Sequence, residues 1–294
     1  MAFSPLHAPV LGWYAENARD LPWRRPDATP WSVLVSEIML QQTPVSRVLP
    51  VHEQWLQRWP RPADLAAEPP GEAVRAWGRL GYPRRALRLH EAAGVVVRDH
   101  GGTVPSSYDD LLALPGVGAY TAAAVASFAF GGRHAVLDTN VRRVLARVAS
   151  GQEHPPPALT ATERRLAESL VPDEPDVAAT WAVAVMELGA LVCTAREPRC
   201  ADCPVVAACA WQVAGRPAYD GPPRRGQPFA GTDRQVRGLL LGVLRHADGP
   251  VPAAALDAVW CEDEQRRRAL AGLLADGLVE VAGPDSYRLP AGPP

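Results

Sequence analysis

Four of the five cysteines in this chain lie within one short segment with the spacing C-x6-C-x2-C-x5-C: Cys193, Cys200, Cys203 and Cys209. Because the ends of a short loop meet at a small entropic cost, four thiolates so arranged can converge on one metal centre. Soft sulfur ligands favour zinc or an iron–sulfur cluster. Paired C-x2-C knuckles are typical of zinc sites, and this segment has a single one. The spacing alone therefore leaves both metals open.

Disulfide bonding is the competing interpretation, and it requires an oxidising compartment, usually reached with a signal peptide. The first residues, Met1–His7, contain neither a basic region nor a long apolar run. No stretch of the chain reaches the roughly 18 to 20 uninterrupted apolar residues of a membrane span. We therefore expect a cytoplasmic protein with reduced thiols. Cys261 lies far from the segment, and we expect it to be an ordinary packed cysteine.

The composition is that of a globular protein. At 294 residues the chain is long enough for two compact domains, and its net charge of −2 does not by itself indicate nucleic acid binding. All 30 basic residues are arginine, because the sequence contains no lysine. Covalent chemistry through a lysine Schiff base is therefore excluded.

Apolar periodicity predicts an all-α structure for the first 210 residues. Pro30 is a favourable first-turn residue, and an i, i+3, i+4, i+7 stripe follows it at Trp31, Leu34, Val35 and Ile38. We predict helices over residues 31–43, 46–58, 72–79, 84–99, 107–113, 119–130, 160–170 and 176–191, with another beginning after Asp138-Thr139-Asn140.

The chain changes character after residue 210. Residues 211–233 are rich in proline, glycine and arginine, which is typical of a linker. Helices are predicted beyond it at about 234–247, 252–260 and 263–275, followed by strands at 278–282 and 286–289. This order predicts a small winged-helix-like module. It could bind DNA or present a solvated face through its arginines, Arg234, Arg237 and Arg266–Arg268.

Three further patterns each have a plain alternative. Leu114–Gly118 sits between two helices, and its glycines permit positive φ and close backbone approach. It is either a phosphate-binding hairpin or a tight turn. Asp138 and Asn140 are favoured helix N-cap residues, and a capping role alone would explain their presence. Glu37 lies in an apolar run, where a carboxylate resists ionisation and can act as a general acid, unless it faces solvent with Ser36 and Gln41.

Together these segments resemble the helix–hairpin–helix, iron–sulfur DNA glycosylases, and within them the adenine DNA glycosylase (MutY) type. The resemblance covers about residues 10–210, and six motifs occur in the family's order: Leu21–Arg24, Ser36–Thr43, Leu80–Tyr82, Leu114–Ala122, Leu137–Arg143 and Met186–Ala190. It implies a [4Fe–4S] cluster held by the four cysteines, because their spacing is the family's.

The resemblance also implies a mainly α, two-lobed fold. Residues 1–30 and 135–210 would form the cluster lobe, and residues 31–134 the lobe with the helix–hairpin–helix. The linker at 211–233 would lead to a small α+β module at 234–294. Many family members carry a larger, Nudix-like β-rich domain after the linker. The resemblance therefore does not imply recognition of 8-oxoguanine by that route in this chain.

The implied reaction is hydrolysis of the N-glycosidic bond of an adenine flipped out of duplex DNA. Glu37 would protonate adenine N7, and Asp138 would stabilise the oxocarbenium-like sugar, as in two-carboxylate glycoside hydrolysis. Tyr120 and Asn140 would assist around the sugar. The remaining implied contacts to substrate and DNA come from Trp23, Arg24, Gln42, Tyr82, Gly116, Val117, Gly118, Arg142, Arg196 and Arg199.

The nearest alternatives differ in chemistry. Glycosylase–lyases of the endonuclease III type carry a catalytic lysine where this chain has Tyr120, so the absence of lysine excludes their usual mechanism. A thymine-mismatch glycosylase of the same fold can carry tyrosine there, and Glu37 beside Leu40–Thr43 favours adenine over it. An iron–sulfur, winged-helix DNA-binding regulator would not explain Glu37 and Asp138 together. We expect a monomer that acts on double-stranded DNA containing a mispaired adenine.

Overall fold

The computed structural model describes residues 4–222 and 229–292, and these residues are mainly helical. The helices before the linker are α1 (His7–Asn17), α2 (Pro30–Leu40), α3 (Val45–Arg58), α4 (Pro62–Ala66), α5 (Pro70–Trp77), α6 (Arg84–Asp99), α7 (Tyr108–Ala113), α8 (Ala119–Phe130), α9 (Thr139–Val148), α10 (Ala161–Ser169), α11 (Pro175–Leu191) and α12 (Ala210–Val213). No helix within these described residues is long and apolar enough to cross a membrane.

The helices predicted from periodicity are all present, and the predicted mainly α fold is confirmed. Periodicity missed α1, α4 and α12. The last two are only five and four residues long, too short to display a 3.6-residue repeat. The helix predicted over 31–43 ends at Leu40, because Gln42 adopts a positive φ of 56° and the chain turns there.

The chain divides into two compact units. The first takes in the chain up to Val33, the segment Ser106–Leu112, and the chain from Val117 through the first part of the predicted linker. Its core lies where α9, α11 and α1 pack together. His7 makes an edge-to-face contact with Trp181 at 4.7 Å between ring centroids, which fixes α1 against α11.

The second unit takes in Leu34–Pro105, Ala113–Gly116 and the chain after the linker. Three fully buried tryptophans form the centre of its helical part, with Trp55 4.7 Å from Trp59 and 5.8 Å from Trp77 between ring centroids. Because each indole buries a large apolar area, this cluster holds α3 and α5 together.

The C-terminal module folds as a small α+β structure, as predicted. Its elements are α13 (Asp233–His246), β1 (Val251–Pro252), α14 (Ala253–Asp257), α15 (Asp263–Ala275), β2 (Glu280–Gly283) and β3 (Ser286–Arg288). The strands form an antiparallel sheet in the order β1-β3-β2, and α13 packs on α15. The two-residue β1 was not predicted. Cys261 is exposed, so the prediction of a packed cysteine is wrong.

The module packs closely on α5 within the second unit. The Gly71 N–H donates to the carbonyl of Pro290 at 2.7 Å, and Arg245 Nε donates to the carbonyl of Val74 at 2.9 Å. A Cβ atom placed on Gly71 would lie 2.7 Å from the oxygen of Pro290, which is closer than real Cβ contacts allow. Only glycine fits at this contact. The domain bounds drawn from the sequence separate these segments and stay a prediction.

The first part of the predicted linker is packed. Trp211 is buried and donates to the carbonyl of Pro217 at 2.9 Å, and the Tyr219 N–H donates to Glu153 at 2.7 Å. The chain therefore remains on the first unit well past residue 211. The Pro-Arg-rich residues 223–228 of the predicted linker lie outside the described residues.

Candidate active site and cysteine cavity

Asp138 begins helix α9 as its N-cap. The Val141 N–H donates to Asp138 Oδ1 at 2.6 Å, and Asn140 Nδ2 donates to Asp138 Oδ2 at 2.8 Å. Burial raises the pKa of the Asp138 carboxyl above its ordinary value, while the two hydrogen bonds and the positive charge of Arg143 oppose that rise. The site therefore holds a carboxylate that has lost much of its hydration and keeps directed donors.

The Asn140 amide is oriented by a buried arginine. Arg143 Nη2 donates to Asn140 Oδ1 at 2.8 Å and to the carbonyl of Gly189 at 2.6 Å, and Arg143 Nε donates to the carbonyl of Cys193 at 2.7 Å. Because a guanidinium can only donate, it selects the amide oxygen of Asn140 and leaves the NH2 group for Asp138. A continuous hydrogen-bonded chain thus joins the backbone of the cysteine segment to Asp138.

Gly189 allows α11 to approach the start of α9. A Cβ atom placed on Gly189 would lie 2.8 Å from Asn140 Cβ and 2.9 Å from the carbonyl oxygen of Asn140. Contacts this short require the backbone to move. The glycine in the motif Met186–Ala190 is therefore explained by packing against the residue that donates to Asp138.

Tyr120 lies on α8 in the same unit as Asp138. It is half-buried and packs against a small apolar cluster that contains Ala123, Val136 and Ala182. Val136 precedes Asp138 by two residues, so the cluster supports both segments. The role assigned to Tyr120 stays a prediction.

Glu37 is buried on α2, with an exposed fraction of 4%. Its neighbours Val33, Leu34 and Ile38 are buried as well, and Ser36 is fully buried beside it. The alternative of a solvent-facing glutamate on a polar face with Ser36 is therefore wrong. A buried carboxylate in apolar surroundings is the arrangement that a general acid near neutral pH requires.

Gln42 and Tyr82, the two residues expected to enter the base stack, both have backbone conformations that L residues avoid. Their φ values are 56° and 46°. Conformations of this kind cost about 1–3 kcal/mol each and are retained where the surroundings enforce them, often at functional sites. Gln42 is exposed and Tyr82 is 47% exposed, so both side chains are accessible.

Trp23 and Arg24 lie in a short 3₁₀ turn of residues Pro22–Arg24, and Trp23 is buried. Arg24 Nη1 is 2.9 Å from Glu187 Oε2, and Arg19 donates to the same carboxylate through Nε and Nη2 at 2.6 Å each. Glu187 is fully buried on α11, and its pKa lies below the ordinary value because these arginine contacts outweigh the effect of burial. Glu187 thereby fixes Arg24 in place.

The hairpin at Leu114–Gly118 needs its two glycines for different reasons. Gly116 has a φ of 78°, and a Cβ atom there would lie 2.7 Å from Arg88 Cβ. Gly118 has an ordinary φ of −99° as the N-cap of α8, so only Gly116 of the two uses the positive φ that glycine permits. A Cβ atom on Gly118 would meet open space, which is compatible with close approach of a phosphate.

The four cysteines of the segment line one cavity together with Arg147 and Trp211. Burial raises the pKa of the Cys203 thiol to about 11 and also raises that of Cys193. Arg147 is fully buried, stacks on Trp211, and donates to the carbonyls of Thr194 at 2.7 Å and Ala195 at 3.2 Å. It therefore organises the loop after Cys193.

The arginines expected to contact DNA differ in availability. Arg142 is bound by Glu163 at 2.8 Å and by the carbonyl of Pro156 at 2.8 Å. Arg199 is exposed but donates to the carbonyl of Leu191 at 2.6 Å, and Arg196 is exposed. Val117, between the hairpin glycines, is buried. DNA binding by these residues stays a prediction.

The arginines of the C-terminal module are mostly paired with carboxylates. Arg268 Nε donates to Asp233 at 2.8 Å and lowers the pKa of that carboxyl to about 2. The other pairs join Arg266 to Asp257 and Asp263, and Arg237 to Asp276, while Arg234 lies over the ring of Phe229. Such pairing favours the solvated-face interpretation of these arginines over DNA contact.

A family model described as the HhH-GPD superfamily base excision DNA repair protein matches residues 35–171. An adenine DNA glycosylase of Mycobacterium tuberculosis (strain CDC 1551 / Oshkosh) is 52% identical over 282 residues, which cover 96% of this chain and 92% of that protein. This chain belongs to the adenine DNA glycosylases. The resemblance inferred from the six motifs is confirmed.

Two further proteins are similar to this glycosylase. An adenine DNA glycosylase of Mycolicibacterium smegmatis (strain ATCC 700084 / mc(2)155) is 52% identical over 290 residues, covering 98% of this chain and 97% of that protein. The match therefore includes most of the C-terminal module. The solved structure of a thermostable thymine-DNA glycosylase matches with a TM-score of 0.63 and 31% identity, covering 70% of this chain and 94% of that one.

Sequence reasoning missed several residues of this glycosylase that position others. Glu187 carries the same signal that singled out Glu37, a carboxylate inside an apolar helical run, and could have been found by it. Arg143 and Arg147 lie four residues apart on a strongly amphipathic helix, which places them on one face. Nothing in the sequence signalled that this face is directed at the cysteine segment.

Proposed function

We propose that this glycosylase removes adenine mispaired with 8-oxoguanine or guanine in duplex DNA and does not cleave the strand. The observation that carries the proposal is Asp138, a partly buried carboxylate held by Val141 and by Asn140 at the start of α9, where burial raises its pKa. Such a group stabilises a positive sugar more strongly than a hydrated one, because a low local dielectric strengthens the attraction.

The proposed reaction divides between two carboxyl groups. Glu37 donates a proton to adenine N7, which makes the base a better leaving group. The bond between the sugar and N9 then breaks, and the Asp138 carboxylate stabilises the oxocarbenium-like sugar until water adds. Tyr120 and Asn140 support the sugar and Asp138. The burial of Glu37 within α2 supports the acid role that the resemblance assigns to it.

The proposed absence of lyase activity follows from composition. A lyase step requires an amine that attacks the sugar carbon and forms a Schiff base. The chain has no lysine, and Tyr120 stands where the resemblance places the lysine of the lyases. The abasic strand should therefore remain intact until alkali is added.

We further propose that Cys193, Cys200, Cys203 and Cys209 hold a [4Fe–4S] cluster. The four side chains line one cavity, and the donor set is the one that iron–sulfur clusters take. The resemblance to the iron–sulfur DNA glycosylases implies a cluster rather than a single zinc ion, because the spacing of the four cysteines is that family's. The cluster supplies no step of the hydrolysis.

An assay on four duplexes tests the substrate. They carry adenine opposite 8-oxoguanine, adenine opposite guanine, thymine opposite guanine, and an oxidised pyrimidine. We expect release from the first two alone, with strand breaks appearing after alkali. Activity only on the last two would refute the adenine proposal. The monomeric state and the cytoplasmic, nucleoid-associated location remain predictions.

Glu37→Gln tests the acid. The variant keeps the size of the side chain and removes the proton donor, so we expect loss of turnover with DNA binding retained. Glu53→Gln on the exposed surface of α3 is the matched control. Turnover retained in Glu37→Gln would remove Glu37 from the mechanism.

Equal amounts of iron and acid-labile sulfide in purified protein are expected for the cluster, and zinc alone would exclude it.

A further inference from the structure

Arg85, at the start of α6, binds the end of helix α2. Its Nη1 donates to the carbonyls of Ile38 at 2.9 Å, Met39 at 2.9 Å and Gln41 at 2.6 Å. Carbonyls at the end of a helix have no partner within the helix. A guanidinium, with its planar fork of donors, can serve several of them at once. Arg85 therefore fixes the point at which the chain leaves α2.

The same guanidinium reaches a second loop. Arg85 Nη2 donates to Thr43 Oγ1 at 3.0 Å and to the carbonyl of Gly81 at 3.1 Å, and the Thr43 hydroxyl donates to the carbonyl of Leu80 at 3.3 Å. Trp77 Nε1 also donates to the Gly81 carbonyl, at 2.9 Å. The loops 41–43 and 80–82 are thereby joined through one side chain.

The residues between these anchored atoms are Gln42 and Tyr82. Both have positive φ, and Gln42 occupies the position after a helix end that glycine normally takes. The Arg85 guanidinium also lies 5.5 Å from the Tyr82 ring centroid and 5.2 Å from that of Trp77. It thus supports Tyr82 from within the protein while nearly half of that side chain is exposed.

We infer that Arg85 is a positioning residue that holds Gln42 and Tyr82 as one rigid, two-pronged wedge for base flipping. The inference rests on the proposed function. A side chain that enters a base stack must keep its position against the neighbouring bases. Two side chains on loops that move independently would be displaced by those bases. Hydrogen bonds from one guanidinium to both loops remove that freedom. Lysine, a point charge with three donors, cannot bind both loops in this way.

Arg85→Lys tests the inference on two duplexes that differ in how readily the adenine leaves the stack. One carries adenine opposite 8-oxoguanine, and the other carries the same adenine opposite an abasic site. Single-turnover release should fall by about tenfold or more on the paired duplex, equivalent to about 1.4 kcal/mol. On the unpaired adenine, which needs less force to extrude, the loss should stay within about threefold. Stopped-flow 2-aminopurine fluorescence should show slowed unstacking.

Arg98→Lys is the matched control, because Arg98 lies on the same helix in an exposed ion pair with Asp99. It should behave as the unaltered protein on both duplexes. A loss in Arg85→Lys that is equal on the two duplexes, or absent from both, would overturn the inference. If the unaltered protein released no adenine from either duplex, the proposed function itself would fail, which is a different result.

A double-mutant cycle gives the second test. In protein that already carries Gln42→Ala and Tyr82→Ala, Arg85 has no wedge to support. Adding Arg85→Lys should therefore slow release from the paired duplex by less than about threefold. The full tenfold loss in this background would show that Arg85 acts by another route, and would refute the inference even if every variant folds normally.

Discussion

Asn140→Ala is expected to move the acidic limb of the pH–rate profile to higher pH. Asn140 Nδ2 donates to Asp138 Oδ2 at 2.8 Å, and a hydrogen bond to a charged group contributes about 1.5–3 kcal/mol. Removing this donor should therefore raise the Asp138 pKa further above its ordinary value. The carboxylate form, which the proposed reaction needs, would then be lost at a higher pH.

The raised pKa of Asp138 also determines how this group changes stability with pH. Burial already holds the folded-state pKa of Asp138 above its ordinary value. This group therefore adds stability below its unfolded pKa and loses that contribution as the pH rises through its folded pKa. Acidification should therefore lower the rate of adenine release, while protonation of Asp138 should not destabilise the folded protein. Thermal unfolding measured beside the rate separates the two effects.

The assay is single-turnover release of adenine across the acidic and neutral range, with Thr139→Ala as control because Thr139 is exposed on the same turn. The rate in Asn140→Ala should recover substantially toward neutral pH. An acidic limb that does not move, with a rate lowered equally at all pH values, would refute the reasoning. Asn140 would then shape the site without controlling the charge of Asp138.

Two glycines give predictions about packing. Gly189→Ala should slow adenine release by up to about 10²-fold, because the added methyl group displaces Asn140, and a shift of about 1 Å near a reacting group can cost that much. A rate within a factor of two or so of the original would contradict this. Gly71→Ala should lower the melting temperature, because the added methyl group would clash with Pro290. Gly94→Ala in α6 adds a methyl group where there is open space, so it should raise the free energy of unfolding by about 0.5–1 kcal/mol. If both variants were more stable than the unaltered protein, the C-terminal module would have to shift at its contact with α5 to accept the methyl group on residue 71.

The sequence predicted the helices well because each long helix buries one face, and burial leaves a 3.6-residue repeat. The same logic found Glu37, whose apolar neighbours could be read directly. Local chemistry also predicted Asp138 as a helix cap. These features share one property: their cause lies within a few residues of the chain.

What the sequence could not predict depends on contacts between distant segments. Arg85 acts on residues more than forty positions earlier, and Arg143 acts on Cys193, fifty positions later. No local pattern reports such pairs. The docking of the C-terminal module at Gly71 is of the same kind. Its glycine looks like an ordinary helix residue until Pro290 is seen beside it.

The carboxylate pairing of the module's arginines has a consequence for how the enzyme searches DNA. Affinity for undamaged duplex comes mainly from counterions released by unpaired cations, and it falls steeply with salt when many contribute. A chain with a net charge of −2, whose C-terminal arginines are largely neutralised within the module, should show a shallow salt dependence. It should dissociate quickly from ordinary DNA and remain longer at a mispaired adenine that the proposed wedge of Gln42 and Tyr82 has opened.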